Sequence, residues 1–264
     1  MGSLWIGPPD RMREIPDAAR EYDRTVELGV TEFRALSGSV TATSLATPPR
    51  RLKFSFTGLD DTNARWLEAL ARRVFGPLPL AVIDPAAVNL LDGPQSQGYG
   101  PPSGYQLTGT GTLAQQPDRR VTLTGTANGA VLRWRHPHWT GWPVPPGLPV
   151  GFASALAPVY GACVLEYFTA TGTANGTAGP AAVLFEQPPA GTVFVRPSVR
   201  LVGTAASVSV GAAWLSLATP AEAGQVAPLG DGCPAMTVTS YTDRPQPLSR
   251  DMSLDLTEVR RAAS

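Results

Sequence analysis

The stretch from Gly58 to Leu91, GLDDTNARWLEALARRVFGPLPLAVIDPAAVNLL, limits the fold most, because it holds the chain's one convincing long helix between two strand patterns. Asp60, Asp61 and Thr62 offer N-cap oxygens and negative charge at its start. Gly76 and Pro77 supply a residue at ease with positive φ and then one that cannot continue a helix. These marks predict a helix over residues 61–75. Trp66, Leu67, Leu70, Ala71 and Val74 recur at helical spacing as its buried face, while Arg65, Glu68 and Arg72 share the opposite face, which is wet or at a contact. The run PLPLAVIDP that follows reads as a buried strand closed by Pro85. Upstream, Arg51–Phe56 alternates, placing Leu52, Phe54 and Phe56 on a sheet face where the helix should pack.

Away from this stretch the chain is rich in turn formers. With 27 Gly and 27 Pro in 264 residues and only 16% charged side chains, long helices should be scarce and the fold mainly β. The 21 basic and 21 acidic residues cancel, which removes the field expected of a protein that grips nucleic acid or an anionic membrane. The start, MGSLWIGPPDRM, lacks the basic-then-apolar pattern of a secretion signal, and no stretch has the length of a membrane span. Cys163 and Cys233 make no disulfide framework and are expected as buried free thiols.

Leu4, Trp5 and Ile6 precede Pro8 and Pro9, a pattern that predicts an extended assembly arm held by a bulky anchor. Thr25–Leu28, Thr31–Leu36 and Ser39–Ser44 read as hairpin strands. Asp92–Gly104, DGPQSQGYGPPSG, is almost wholly turn-forming and reads as an interdomain connection. Beyond it short strand candidates recur at Arg120–Thr124, Ala130–Arg135, Ala162–Phe168, Thr192–Arg196, Val199–Val202 and Ser207–Leu217, as in an antiparallel jelly-roll sandwich. Met236–Tyr241 and Met252–Val259 alternate in the style of the first ninety residues. The expected organisation is therefore a first domain of sheet and one α-helix from residues 1–92 and 236–264, a linker at 93–104, and an inserted jelly-roll-like sandwich at 105–235.

The chain carries no nucleophile elbow, phosphate loop, dinucleotide fingerprint or HExxH motif, so an enzyme is not expected, nor a cofactor. His136-Pro137-His138 lacks the further ligands a metal needs, and Glu166 and Glu186 read as acids on solvated faces. The stretch with functional colour is Trp134–Trp142, WRHPHWTGW. Trp139, Trp142 and His138 are candidate glycan contacts, since aromatic faces stack on sugar rings. The competing expectation is that these rings pack the loop, with Trp134 the most buried.

The order of a Leu4-Trp5 start, alternating strands, DDTNARWLEALARRVFGPLPLAVIDP, Asn89-Leu90-Leu91 and a closing DMSLDLTEV resembles the distal tail and minor tail proteins of long-tailed, siphovirus-like actinobacterial bacteriophages. The resemblance covers roughly the first ninety residues and the last twenty-five, about one small domain. It implies a β-sandwich belt domain with one helix that assembles as a ring, usually a hexamer, joining the tail tube protein to a tail tip or baseplate hub protein. It also implies an outward-facing inserted or appended sandwich of carbohydrate-binding type. Such a protein is part of the virion and is assembled in the host cytoplasm. Its assembly surfaces would be the arm Leu4, Trp5 and Ile6 and the helix face Arg65, Glu68 and Arg72. The alternative is a monomeric glycan-binding adhesion module that contacts host cell-wall polysaccharide through the aromatic loop.

Overall fold

A computed structural model describes residues 3–16, 21–43, 45, 49–77, 79–203, 206–220 and 227–259. Ser44, the expected end of one hairpin strand, and Leu78, inside the PLPLAVIDP run, lie outside the described residues. The protein is mainly β, 49% strand and 10% helical, with several antiparallel sheets. It forms two compact units: a terminal unit of Ile6–Pro8, Glu14–Val82 and Pro234–Ser264, and a middle unit of Met1–Trp5, Pro9–Arg13 and Ile83–Cys233.

The chain begins with strands β1 (Leu4–Gly7), β2 (Arg13–Ile15), β3 (Glu21–Val26), β4 (Thr31–Arg34), β5 (Val40–Thr43) and β6 (Arg50–Leu59), then helix α1 (Asp61–Ala71) and β7 (Leu80–Ile83). The middle unit follows with a helical turn α2 (Gly93–Ser96) and strands β8 (Tyr105–Thr108), β9 (Thr112–Gln115), β10 (Val121–Thr124), β11 (Val131–Trp134), β12 (Trp142–Pro143) and β13 (Val150–Ser154). It continues through a second turn α3 (Ala157–Tyr160) into β14 (Gly161–Phe168), β15 (Ala174–Ala181), β16 (Val183–Glu186), β17 (Phe194–Leu201), β18 (Val208–Ser209) and β19 (Ala213–Leu217). The chain closes with β20 (Ala235–Pro245) and β21 (Arg250–Glu258).

Both ends of the chain build one seven-stranded sheet in the order β2-β1-β7-β20-β21-β6-β3. Alternation sets its register: Leu52, Phe54 and Phe56 of β6 face Leu256, Leu254 and Met252 of β21, and all six are buried on one face. Tyr22 of β3 stacks on Phe54 with ring centres 4.9 Å apart, extending the apolar row. Helix α1 packs on β20 and β21, the two strands beside β6 toward the middle of the sheet.

Asp60 caps α1, its carboxylate accepting from the backbone N–H groups of Thr62 at 2.8 Å and Asn63 at 2.9 Å. The helix ends at Ala71, four residues short of the expected boundary, because Arg73 takes a left-handed φ of 55° before Gly76 is reached. Val74 consequently leaves the buried face and is 65% exposed.

The expected arm is instead a strand of this sheet. β1 lies between β2 and β7, with Leu4 and Ile6 buried and Trp5 half-buried. The Leu-Trp-Ile alternation suits a half-buried strand, and Pro8 falls just beyond the strand, where no further ladder donor is needed.

Among the described residues β4 and β5 pair only with each other, Thr31 facing Thr43 and Arg34 facing Val40, and every residue of both strands is exposed. They prolong β3 and β6 into a ribbon that runs past the end of the sheet, joined by the bonds from Glu27 N to Pro49 O and from Leu45 N to Leu28 O. Gly38, at φ 85°, makes the turn at its tip.

The middle unit contains a six-stranded sheet, β15-β14-β17-β11-β8 with β12 beside β17, and two three-stranded sheets, β18-β10-β9 and β16-β13-β19. β17 runs unbroken through Pro197, where two shorter strands were expected. The predicted Ser207–Leu217 strand is divided at Gly211, whose φ is 67°. Residues 93–104 form α2 and a short 3-10 turn within this unit rather than a free linker. Gln95 and Ser96 are buried there, and the Gln95 amide donates to Gly104 O at 2.8 Å and Arg135 O at 2.9 Å.

Nearby Asn89 is fully enclosed, donating to Ala213 O and Pro228 O at 3.0 Å and accepting from Leu91 N and Leu215 N. One side chain thus satisfies four backbone groups of three segments, each of which would cost about 1–3 kcal/mol if left buried and unpaired.

Candidate functional site

The aromatic loop leaves β11 at Trp134 and re-enters the sheet at Trp142 in β12. Trp134 is fully buried, meeting Tyr105 and Phe152 edge-on at 5.9 and 5.4 Å. His136, 7% exposed, organises the turn. Its Nδ1 accepts from the backbone N–H groups of His138 and Trp139, both at 3.1 Å, and its Nε2 lies 2.9 Å from Cys233 O. A carbonyl can only accept, so those partners assign a neutral ring with the proton on Nε2. Trp142 stands edge-on to the same ring at 5.4 Å and donates its indole N–H to Leu90 O at 2.7 Å.

Only 1% of Trp142 is exposed, which leaves no ring face for a sugar and removes it from the candidate glycan contacts. Trp139 is half-buried, one face stacked on His136 at 4.8 Å, with the His138 ring edge-on at 5.4 Å. Trp139 and His138 do come together, but as a packed pair on His136 rather than as an open platform.

The outward face of the six-stranded sheet carries a charged cluster that the sequence pattern missed. Arg133, Glu166 and Arg196 come from β11, β14 and β17, and register places Glu166 opposite Arg196. Arg133 grips both carboxylate oxygens of Glu166 at 2.9 and 3.0 Å, and Arg196 adds a bond of 2.8 Å. The Arg196 guanidinium also lies 4.7 Å from the centre of the Phe168 ring. Burial pushes the Glu166 carboxyl upward, but hydrogen bonds and charge from the two arginines outweigh it and hold the group below its ordinary value. A carboxylate so neutralised suits an architectural role rather than proton transfer. Glu186 lies on β16, in a different sheet from Glu166, so the two acids make no catalytic pair across neighbouring strands.

The helix face expected at an assembly contact is largely tied to its own sheet. Glu68 pairs with Arg72 and Arg250, both at 3.0 Å, and Arg250 also grips Asp243. Arg72 reaches Tyr241, whose hydroxyl holds the guanidinium pKa up, with Glu68 adding to the effect. Arg65 pairs with Asp61 along the helix at 2.7 Å and stays exposed. Cys163 and Cys233 are buried and form no disulfide, and burial pushes the Cys163 thiol up to about 12, an inert environment.

Among the described residues no group of three or more His, Cys, Asp or Glu is placed to hold a metal, and no helix is long and apolar enough to cross a membrane. No protein-family model matches the chain, and no curated protein matches it.

Proposed function

We propose that the chain is a structural component of a bacteriophage tail, a distal tail protein whose terminal unit assembles as a hexameric ring between the tail tube protein and a tail tip or hub protein. In this reading the terminal unit is a β-sandwich belt domain. The middle unit is a jelly-roll-like accessory sandwich that faces outward in the virion, after assembly in the host cytoplasm. The observation that carries the reading is the seven-stranded sheet drawn from both ends of the chain, with one helix on it and the main segment of a second unit, Ile83–Cys233, between β7 and β20. The mutually neutralised charged cluster and the packed aromatic loop accord with a scaffold. The glycan-adhesion alternative keeps only the half-buried Trp139 and His138 as contacts. Negative-stain electron microscopy of the purified chain tests the proposal: closed rings with a central channel are expected, and particles that never close into rings would sink it.

A further inference from the structure

We propose that His136 is a proton-operated latch: while its ring is neutral it holds the loop between β11 and β12 closed, and on protonation it lets go of residues 137–140 and unstacks Trp139. Such a latch would work whether or not the chain serves in a phage tail.

A proton can be added to the ring only at Nδ1, because Nε2 already carries one toward Cys233 O. Nδ1, however, is the atom on which the backbone N–H groups of His138 and Trp139 converge, each at 3.1 Å. An added proton would point at two donors in a site only 7% exposed, and both bonds would be lost. The arrangement is the one an Asn or Asp side chain makes when it accepts from N–H groups two and three residues ahead, as in an Asx turn or a helix cap. Histidine does the same work here with a group that changes charge near neutral pH. Release would stay local, because both ends of the loop are fixed. Arg135 donates its N–H to Gly104 O and accepts from the Gln95 amide, both at 2.9 Å. At the other end Gly141 lies so close to β17 that a Cβ would collide with Val195 O, and Trp142 enters the ladder and bonds Leu90 O. Between them Trp139 rests on His136, 4.8 Å away and 26° from parallel, and being half-buried it can turn outward without opening the core.

Charges on the neighbouring segments do not decide the matter. Arg135 on the loop and Arg196 on β17 oppose a positive ring, while Asp92 beyond Leu90 and Asp231 before Cys233 favour one. The Asp231 carboxylate already accepts from the Val88 N–H at 3.1 Å. His138 and Cys233 are the other titratable groups on these segments. Stacking on Trp139 also favours a charged ring, but a cation over an aromatic face gains less than the two hydrogen bonds that the proton displaces. The closed loop therefore takes up the proton less readily than the open one. Closure is complete well above the ordinary histidine value of about 6.5 and weakens as pH falls below it.

His136 and His138 are the only histidines in the chain, so NMR of the full chain carrying isotope-labelled histidine resolves both rings. The indole N–H signal of Trp139, assigned by its loss in Trp139→Phe, reports the loop. Between about pH 7.5 and 5 the His136 ring should protonate from the Nε2–H tautomer while the Trp139 signal shifts in step. Amide exchange at His138 and Trp139 should rise about tenfold beyond the ordinary effect of pH, and the Trp142 indole signal should stay where it is. His136→Asn, whose side chain can accept the same two N–H bonds but takes up no proton in this range, should hold the loop closed throughout, and His138→Asn should behave as the wild type. A Trp139 signal that ignores protonation of His136 overturns the latch, as does a His136 ring still neutral at about pH 5. So does a transition that survives in His136→Asn or vanishes in His138→Asn. Should His136→Asn not fold, the two wild-type signals decide the matter alone.

Discussion

Glu166 shows how a single side chain can carry opposite demands. Its position between Arg133 and Arg196 on an outward sheet face makes the carboxylate a counter-charge for two guanidinium groups that would otherwise repel. Because its folded pKa lies below the unfolded value of about 4.3, the stabilisation is fully present above that value. It is lost as pH falls through the folded pKa, where protonation discards the ion pairs. The Glu166→Gln protein should lose about 1–3 kcal/mol at neutral pH. It should also show a flatter decline than the wild type below about pH 4. Urea titrations across that range check both, and parallel acid limbs in the two proteins would refute the assignment.

At the scale of elements, the loop between β11 and β12 is held by rings that point inward. Trp142→Ala should cost about 3–5 kcal/mol, since it removes a buried ring and also leaves Leu90 O without its indole donor. Trp139→Ala, which gives up stacking on a half-buried face, should cost nearer 1 kcal/mol. Equal losses in thermal or urea unfolding would contradict this ranking. The strands Arg50–Leu59, Leu80–Ile83 and Arg250–Glu258 were legible in the sequence because each buries one face or two and shows it as alternation or a continuous apolar run. β15, with the sequence ANGTAGPA, was not, because its side chains are small and its ladder is sustained by pairing with β14 rather than by an apolar pattern. β1 was mistaken for an arm because nothing near Pro8 reveals that a later segment, Leu80–Ile83, will pair with it. The candidate site fared unevenly for the same reason. Composition identifies an aromatic loop, but His136's bond to Cys233 O spans residues far apart in sequence and decides which rings turn inward.

On the scale of the whole molecule, the sheet takes β7 and β20 as direct neighbours, Ala81 facing Ala235, although Ile83–Cys233, the main segment of the middle unit, lies between them in sequence. A chain lacking residues 85–233, with Asp84 joined to Pro234 by a short Gly–Ser link, should therefore keep its strand signal in circular dichroism and unfold cooperatively. An unfolded product would show that the terminal unit depends on the middle one. Within the middle unit, Asp92 and Asp231 form an antiparallel bridge, so the stretch enters and leaves through adjacent positions. Such a doorway sets the two ends of the stretch side by side, whatever length of chain lies behind it. A gene could exchange this unit for one of another length or shape, and the sheet would need no change of register to accept the newcomer.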